Sequence, residues 1–158
     1  MKHTTLLLPL FFVFVLIGCG KRPPEGLPPL VSCKVKVRDG DRPLADIGVS
    51  FQRVEGHGSW SLNGQTDSSG VAIAQTSVGT YQAAGIPAGS YRITLIERID
   101  LPPEFNNDTD PTIPEKVRKY LAEHRKLPAI LSDPTKSPLE FTVSEPKAEL
   151  DIDVAQYK

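Results

Sequence analysis

The side chains that could do chemistry in this chain are few, and none of them completes a catalytic or metal-binding set. Two cysteines, Cys19 and Cys33, are accompanied beyond the N-terminal segment by two distant histidines, His57 and His124. A structural zinc site takes four nitrogen or sulfur ligands, and a catalytic zinc site takes three. Since nucleophile-elbow and P-loop motifs are also missing from the sequence, it predicts no cofactor, no metal and no enzymatic activity.

A loop in the second half of the chain matches a calcium-binding pattern only at its start. Asn106, Asp108 and Asp110 occupy alternate positions, as the first three ligands of an EF-hand loop do. The sixth position should then be glycine but is Pro111, and the twelfth should be glutamate but is Val117. The pattern favours a solvated acidic loop, with weak surface binding of Ca²⁺ as the alternative.

The N-terminus has the features of a secretion signal. After the basic Lys2 comes an apolar run from Leu6 to Gly18, shorter than the stretch of about 20 residues that a membrane-spanning helix needs. The run ends in Leu16-Ile17-Gly18-Cys19, which resembles the lipobox of bacterial lipoproteins. That resemblance implies a signal peptide over residues 1–18, cleavage between Gly18 and Cys19, and lipid on the Cys19 thiol. An uncleaved anchor helix and an ordinary cleaved signal are the alternatives.

Residues 19–30 read as a lipidated cysteine followed by a proline-rich linker, because proline favours extended, semi-rigid spacers. Gly20 is not the aspartate that commonly retains lipoproteins at the inner membrane, which by resemblance favours the outer membrane. We therefore expect the membrane itself, reached through the N-terminal lipid, as one partner of the protein.

Composition and charge narrow the rest of the chain to one small β domain. The 158 residues include 15 prolines and 12 glycines, which favour short strands and frequent turns. The net charge of −1 offers no basic field for nucleic acid, so nucleic acid is not an expected partner.

Apolar and polar residues alternate through most of residues 31–158, as they do in half-buried strands. In VSCKVKV, Cys33 shares its parity with Val31, Val35 and Val37, which predicts a buried and inert thiol. Six or seven short strands follow from the pattern. The remaining residues predicted to face the core are Ile47, Val49, Phe51, Leu62, Val71, Ile73, Tyr91, Ile93, Leu95, Leu139, Phe141, Val143, Leu150, Ile152 and Val154.

Three segments in order resemble the carboxypeptidase regulatory-like domain, a relative of the transthyretin or prealbumin sandwiches. They are Gly40–Val49 (GDRPLADIGV), Gly64–Ala72 (GQTDSSGVA) and Ile86–Ile93 (IPAGSYRI). The resemblance implies a Greek-key β-sandwich of seven or so strands. Read from the residues alone, Asp67 and Thr66 bond to backbone amides two residues on, and Gly70 supplies a positive φ, so that Asp67 forms a turn instead of catalysing a reaction.

Residues 98–138 interrupt the β pattern ahead of the last two strands. Thr112, Glu115 and Pro114 suggest a helix start, and apolar residues then recur at helical spacing until Pro128. We expect a helix of about three turns, with a Glu115–Lys119 pair, packed on or beside the sandwich. The closing piece from Asp133 to Val143 is similar to the ending of short lipoproteins common in planctomycete bacteria.

These observations predict a non-enzymatic, membrane-tethered sandwich that serves as a structural or protein-interaction module of the cell envelope. The alternative is a surface lipoprotein that binds a carbohydrate or peptide for uptake or degradation. Trp60, beside the glycine-bordered loop GHGS, and the 98–138 insertion would form that site. A Trp60 ring lying flat in an exposed groove would favour this alternative, whereas a ring in the core would remove its main residue.

Overall fold

The computed structural model describes residues 22–55, 60–106, 112–144 and 146–158. In these residues the protein is mostly β, with two sheets arranged as a sandwich and one helix inserted before the last two strands. This confirms the predicted fold class. Its strands, numbered in chain order, are β1 (Leu30–Asp39), β2 (Arg42–Pro43), β3 (Ile47–Arg53), β4 (Ser61–Gln65), β5 (Val71–Ile73), β6 (Gln75–Val78), β7 (Tyr81–Ala84), β8 (Ile86–Pro87), β9 (Gly89–Glu97), β10 (Glu140–Val143) and β11 (Lys147–Asp153).

The first sheet is organised around β1. β11 pairs with it in parallel, from Ser32↔Lys147 to Arg38↔Asp153. The short strands β8, β5 and β2 pair antiparallel with successive parts of β1. The second sheet has six strands in the order β10-β9-β3-β4-β6-β7, all antiparallel.

Strand alternation places the core as predicted in the long strands. On β1, Val31, Cys33, Val35 and Val37 are buried while the residues between them are exposed or half-exposed. The predicted inward residues of β3 and β9 are buried as well, and on β9 the intervening Thr94 is also buried. These three strands supply much of the apolar surface that holds the sheets together.

The prediction was wrong by one position at β5. Ala72 and Ala74 are buried there, whereas Ile73 is 50% exposed. The cause lies in the neighbouring β4, because a Cβ on Gly64 would lie only 3.0 Å from the Ile73 carbonyl oxygen and 3.4 Å from the Ala72 Cβ. The sheets approach so closely at this point that only small side chains fit between them.

The inserted helix α1 (Ile113–His124) starts after Thr112, carries a proline in its first turn and has about three turns, as predicted. Its ion pairs differ from the expected one: Glu115 pairs with Arg118 and Lys119 with Glu123, each at 4.0 Å. α1 buries none of its residues. The apolar stripe that predicts the helix therefore does not dock it in the core.

Instead, the segment that follows α1 packs against the sandwich. Leu127 and Leu131 are buried in the hydrophobic core, and the short 3-10 helix Ala129–Ser132 packs against β9. Glu97 Oε2 accepts hydrogen bonds from the amides of Lys126 (2.9 Å) and Leu127 (3.3 Å). The insertion is thus fastened to the end of β9 by its return segment.

Gly70 and Gly79 both have a positive φ, but only Gly70 is closely surrounded by other atoms. A Cβ on Gly70 (φ +74°) would lie 2.6 Å from the Val37 carbonyl oxygen, whereas one on Gly79 (φ +55°) would have no neighbour within 4 Å. We expect Gly79→Ala to lower the free energy of unfolding by about 1–2 kcal/mol, the cost of a left-handed alanine. Gly70→Ala should lower it by about 1–3 kcal/mol more, since its neighbours must also move. Urea unfolding of both variants measures the difference, and equal losses would contradict the close approach.

Candidate functional site

The residues predicted for lipid attachment and cleavage, Cys19 and Gly18, lie outside the described residues, as do His57, Asp108 and Asp110. Their roles stay predictions. His124 is described: its side chain is exposed, and its ring stacks on half-buried Tyr120 with the centroids 3.8 Å apart. Across residues 22–55, 60–106, 112–144 and 146–158, no three His, Cys, Asp or Glu side chains are grouped closely enough to hold a metal ion.

Asp67 forms the predicted turn. Its Oδ1 accepts hydrogen bonds from the Ser69 hydroxyl (2.6 Å), the Ser69 amide (2.9 Å) and the Val71 amide (3.1 Å). These donors, the Ser69 hydroxyl first, hold the pKa of Asp67 below its usual value. The carboxylate is therefore charged at neutral pH, and its Oδ1 is engaged by its own loop.

Thr66 does not bond within that turn, contrary to the prediction. Its buried hydroxyl donates to the Leu44 carbonyl (2.7 Å) and accepts from the Ile47 amide (2.9 Å). Leu44 lies in the connection between β2 and β3, and Ile47 is the first residue of β3. Thr66 thus ties that connection to the end of β4.

Tyr91 is fully buried at the start of β9, as its position predicts. Its hydroxyl donates a 2.7 Å hydrogen bond to the Pro87 carbonyl, and its ring meets Phe51 edge-on with the centroids 6.1 Å apart. Burial raises the pKa of this phenol. Such a bond from a strand-initiating tyrosine to the backbone just upstream fixes the corner where the chain enters the strand.

Cys33 has no solvent exposure, and burial raises the pKa of its thiol to about 11. At neutral pH the thiol is protonated, and the reactive form of cysteine is the thiolate. The structure therefore confirms the prediction of a buried, inert thiol.

Trp60 is half-buried and packs against the hydrophobic core just before β4. Its neighbour along β4 with the same parity, Leu62, is buried as well. The half-buried ring packs at the sheet edge, and its stacking on a sugar stays a prediction.

A groove that the sequence did not suggest lies beside β4 and β5. It has a volume of about 580 Å³, and its lining includes Asn63, Gln65, Gln75 and the exposed Ile73. Each of the three amides makes one side-chain hydrogen bond: Asn63 donates to Ser61, Gln65 donates to Asp46, and Gln75 accepts from Gln82. An amide has further donors and acceptors, which suit sugar hydroxyls or peptide groups. The alternation pattern hid these residues because it marks them only as the polar face of strands.

A second open groove, of about 690 Å³, lies beside β9 and β10. Arg53, Ser90, Glu140 and Thr142 contribute its polar side chains. Several of these groups are already engaged: Arg53 donates to the Ala88 carbonyl (3.0 Å), and the Ser90 and Thr142 hydroxyls lie 3.2 Å apart. The groove therefore offers fewer uncommitted hydrogen-bonding groups than its lining suggests.

Comparison of the chain with protein-family models, with curated proteins and with solved structures finds no match in any of the three. None of the helices in the described part of the chain is long and apolar enough to cross a membrane. In the described residues, fold and site together define a two-sheet β protein with one inserted helix, open grooves beside β4 and β5 and beside β9 and β10, and a buried thiol.

The lowered pKa of Asp67 predicts a pH-dependent contribution to stability. Asp67→Asn keeps a side-chain acceptor but has no carboxylate to titrate. The stabilisation of the wild type relative to this variant should be fully present above the unfolded pKa of about 3.9 and should vanish as pH falls through the lower folded pKa. Urea midpoints of both proteins between about pH 7 and about pH 2 measure this. A constant difference over that range would contradict the assignment.

Proposed function

We propose that this protein is a membrane-anchored lipoprotein whose β-sandwich is a non-enzymatic structural or protein-interaction module of the cell envelope. The observation that carries the proposal is Cys19 at the end of an apolar run, followed by a proline-rich segment that leads into β1. The sandwich begins at Leu30, so residues 20–29 would form the tether.

The state of the second cysteine supports this assignment. Cys33 is enclosed in the core, where its thiol has no access to a lipid-transferring enzyme. Acylation of a thiol in the folded chain would therefore fall on Cys19. With Cys19 modified, Cys33 would have no partner for an intramolecular disulfide.

The use of the polar residues supports a module without catalysis. Asp67 accepts hydrogen bonds from its own loop, Tyr91 donates to the backbone at its own corner, and Thr66 bonds to the backbone between β2 and β3. A general base or nucleophile instead needs its reactive atom within reach of a substrate. The residues whose types most suggest catalysis therefore stabilise turns and strand connections in the structure.

We further propose that the sandwich is a carboxypeptidase regulatory-like domain, in a lipoprotein similar to the short planctomycete ones. Supporting this, two of the motifs occupy positions that the fold uses for turns and corners: Asp67–Gly70 and Pro87–Tyr91. The third motif begins at the turn between β1 and β2, where Gly40 has a positive φ. Gly20, next to the lipidated residue, favours the outer membrane as the location.

The groove beside β4 and β5 favours a second candidate, a lipoprotein that binds a carbohydrate or peptide. If a neutral oligosaccharide binds there, Gln65→Ala should weaken it about tenfold, the effect of losing one or two hydrogen bonds. Gln52→Ala, at an exposed glutamine on β3 outside the groove lining, is the matched control. Oligosaccharide array screening followed by calorimetry measures the affinity. Binding that survives Gln65→Ala unchanged would place the ligand elsewhere.

Lipid attachment predicts a cysteine-specific result. In cells supplied with a fatty-acid analogue, the wild type should be labelled and Cys19→Ala should not, because only the Cys19 thiol can carry the diacylglycerol. Cys33→Ala is the control and should keep its label. In-gel fluorescence measures incorporation, and equal labelling of Cys19→Ala and the wild type would overturn the proposal.

A further inference from the structure

We infer that the free edge of β7 is a self-association site, at which a second copy of this chain adds its own β7 antiparallel to the first. β7 is the last strand of the six-stranded sheet and pairs with β6 from Gln75↔Ala84 to Val78↔Tyr81. No other strand in the described part of the chain pairs with it. An open edge presents backbone donors and acceptors that another strand can satisfy.

The β7 edge lacks the features that normally block such pairing. Soluble proteins protect their edges with charged side chains, prolines or bulges. Here β10 begins with the charged Glu140, and β11 carries four charged residues along its length. By contrast, residues 68–91 contain no charged side chain, and β7 itself contains no proline.

The absence of charge points to a second copy as the occupant. In a two-fold antiparallel pair, residues near the axis face themselves or a close neighbour, so that any charge on β7 would oppose a like charge. A foreign strand could carry the opposite charge and would not require a neutral edge. The β7 side chains also suit a self-pair: Ala83 and Ala84 are small, and Gln82 already donates to Gln75 (2.7 Å), which leaves its own amide oxygen toward a symmetry mate.

The pairing would be weak. Four residues from each copy bury much less surface than the roughly 1,200 Å² at which stable interfaces begin. Attachment to a membrane would raise the local concentration and favour the pair. Only this enhancement rests on the proposed lipid anchor. The edge itself is a property of the described sandwich.

Sedimentation velocity of the detergent-extracted protein tests the inference over a range of about 1–100 µM. The wild type should shift reversibly from monomer to dimer as its concentration rises. Ala84→Lys places a charge on the exposed face of β7 and should weaken association about tenfold or more. Thr142→Lys places the same charge at an exposed site on β10, the opposite edge of the same sheet, and should leave association unchanged.

Thermal unfolding of each variant confirms that it is folded before association is compared. A wild type that stays monomeric throughout, or a dimer that persists in Ala84→Lys, would overturn the inference. Fatty-acid labelling of the same samples separates the two proposals. A labelled monomer counts against the β7 site alone, and an unlabelled dimer counts against the lipid anchor alone.

Discussion

The burial of one face of β1 is the constraint on which the rest of the structure depends. Val31, Cys33, Val35 and Val37 are each at most 3% exposed, and burying each valine contributes about 1.5–3 kcal/mol. β1 also pairs with four other strands, one from the C-terminus and three from the connections between the sheets. Because all four strands hydrogen-bond to β1, the position of β1 fixes the C-terminal strand and the short strands that connect the two sheets.

The last strand, β11, is held to β1 by ion pairs as well as by backbone hydrogen bonds. Arg38, near the end of β1, bridges to Asp151 and Asp153 of β11 at 2.9 Å each, and Asp153 also accepts from the Gly40 amide. The hydrogen bond from the Gly40 amide is the main reason that the pKa of Asp153 lies below its ordinary value. Since Arg38 is partly exposed, these pairs add less stability than burial does. They fix the parallel register instead.

Strand alternation predicted β1, β3 and β9 correctly because each of these strands has one face in the core. It failed at β5, where hydrophobicity favoured Val71 and Ile73 but the close approach of Gly64 admits only alanine. That contact joins strands from different sheets, and no local pattern encodes it. Likewise the helical stripe predicted α1, whereas the residues that dock the insertion, Leu127 and Leu131, lie beyond the end of the helix on either side of Pro128. Both misses are tertiary effects.

The candidate site follows the same logic. Residues whose types suggest chemistry, such as Asp67 and Cys33, serve the turns and the core, and the proposed function rests on the segment ahead of the sandwich.

Intact-mass spectrometry of the protein purified from its native cells tests this account most directly. The account predicts a polypeptide that begins at Cys19 and carries the added mass of a diacylglycerol. An unmodified chain, or an N-terminus at any other residue, would contradict it.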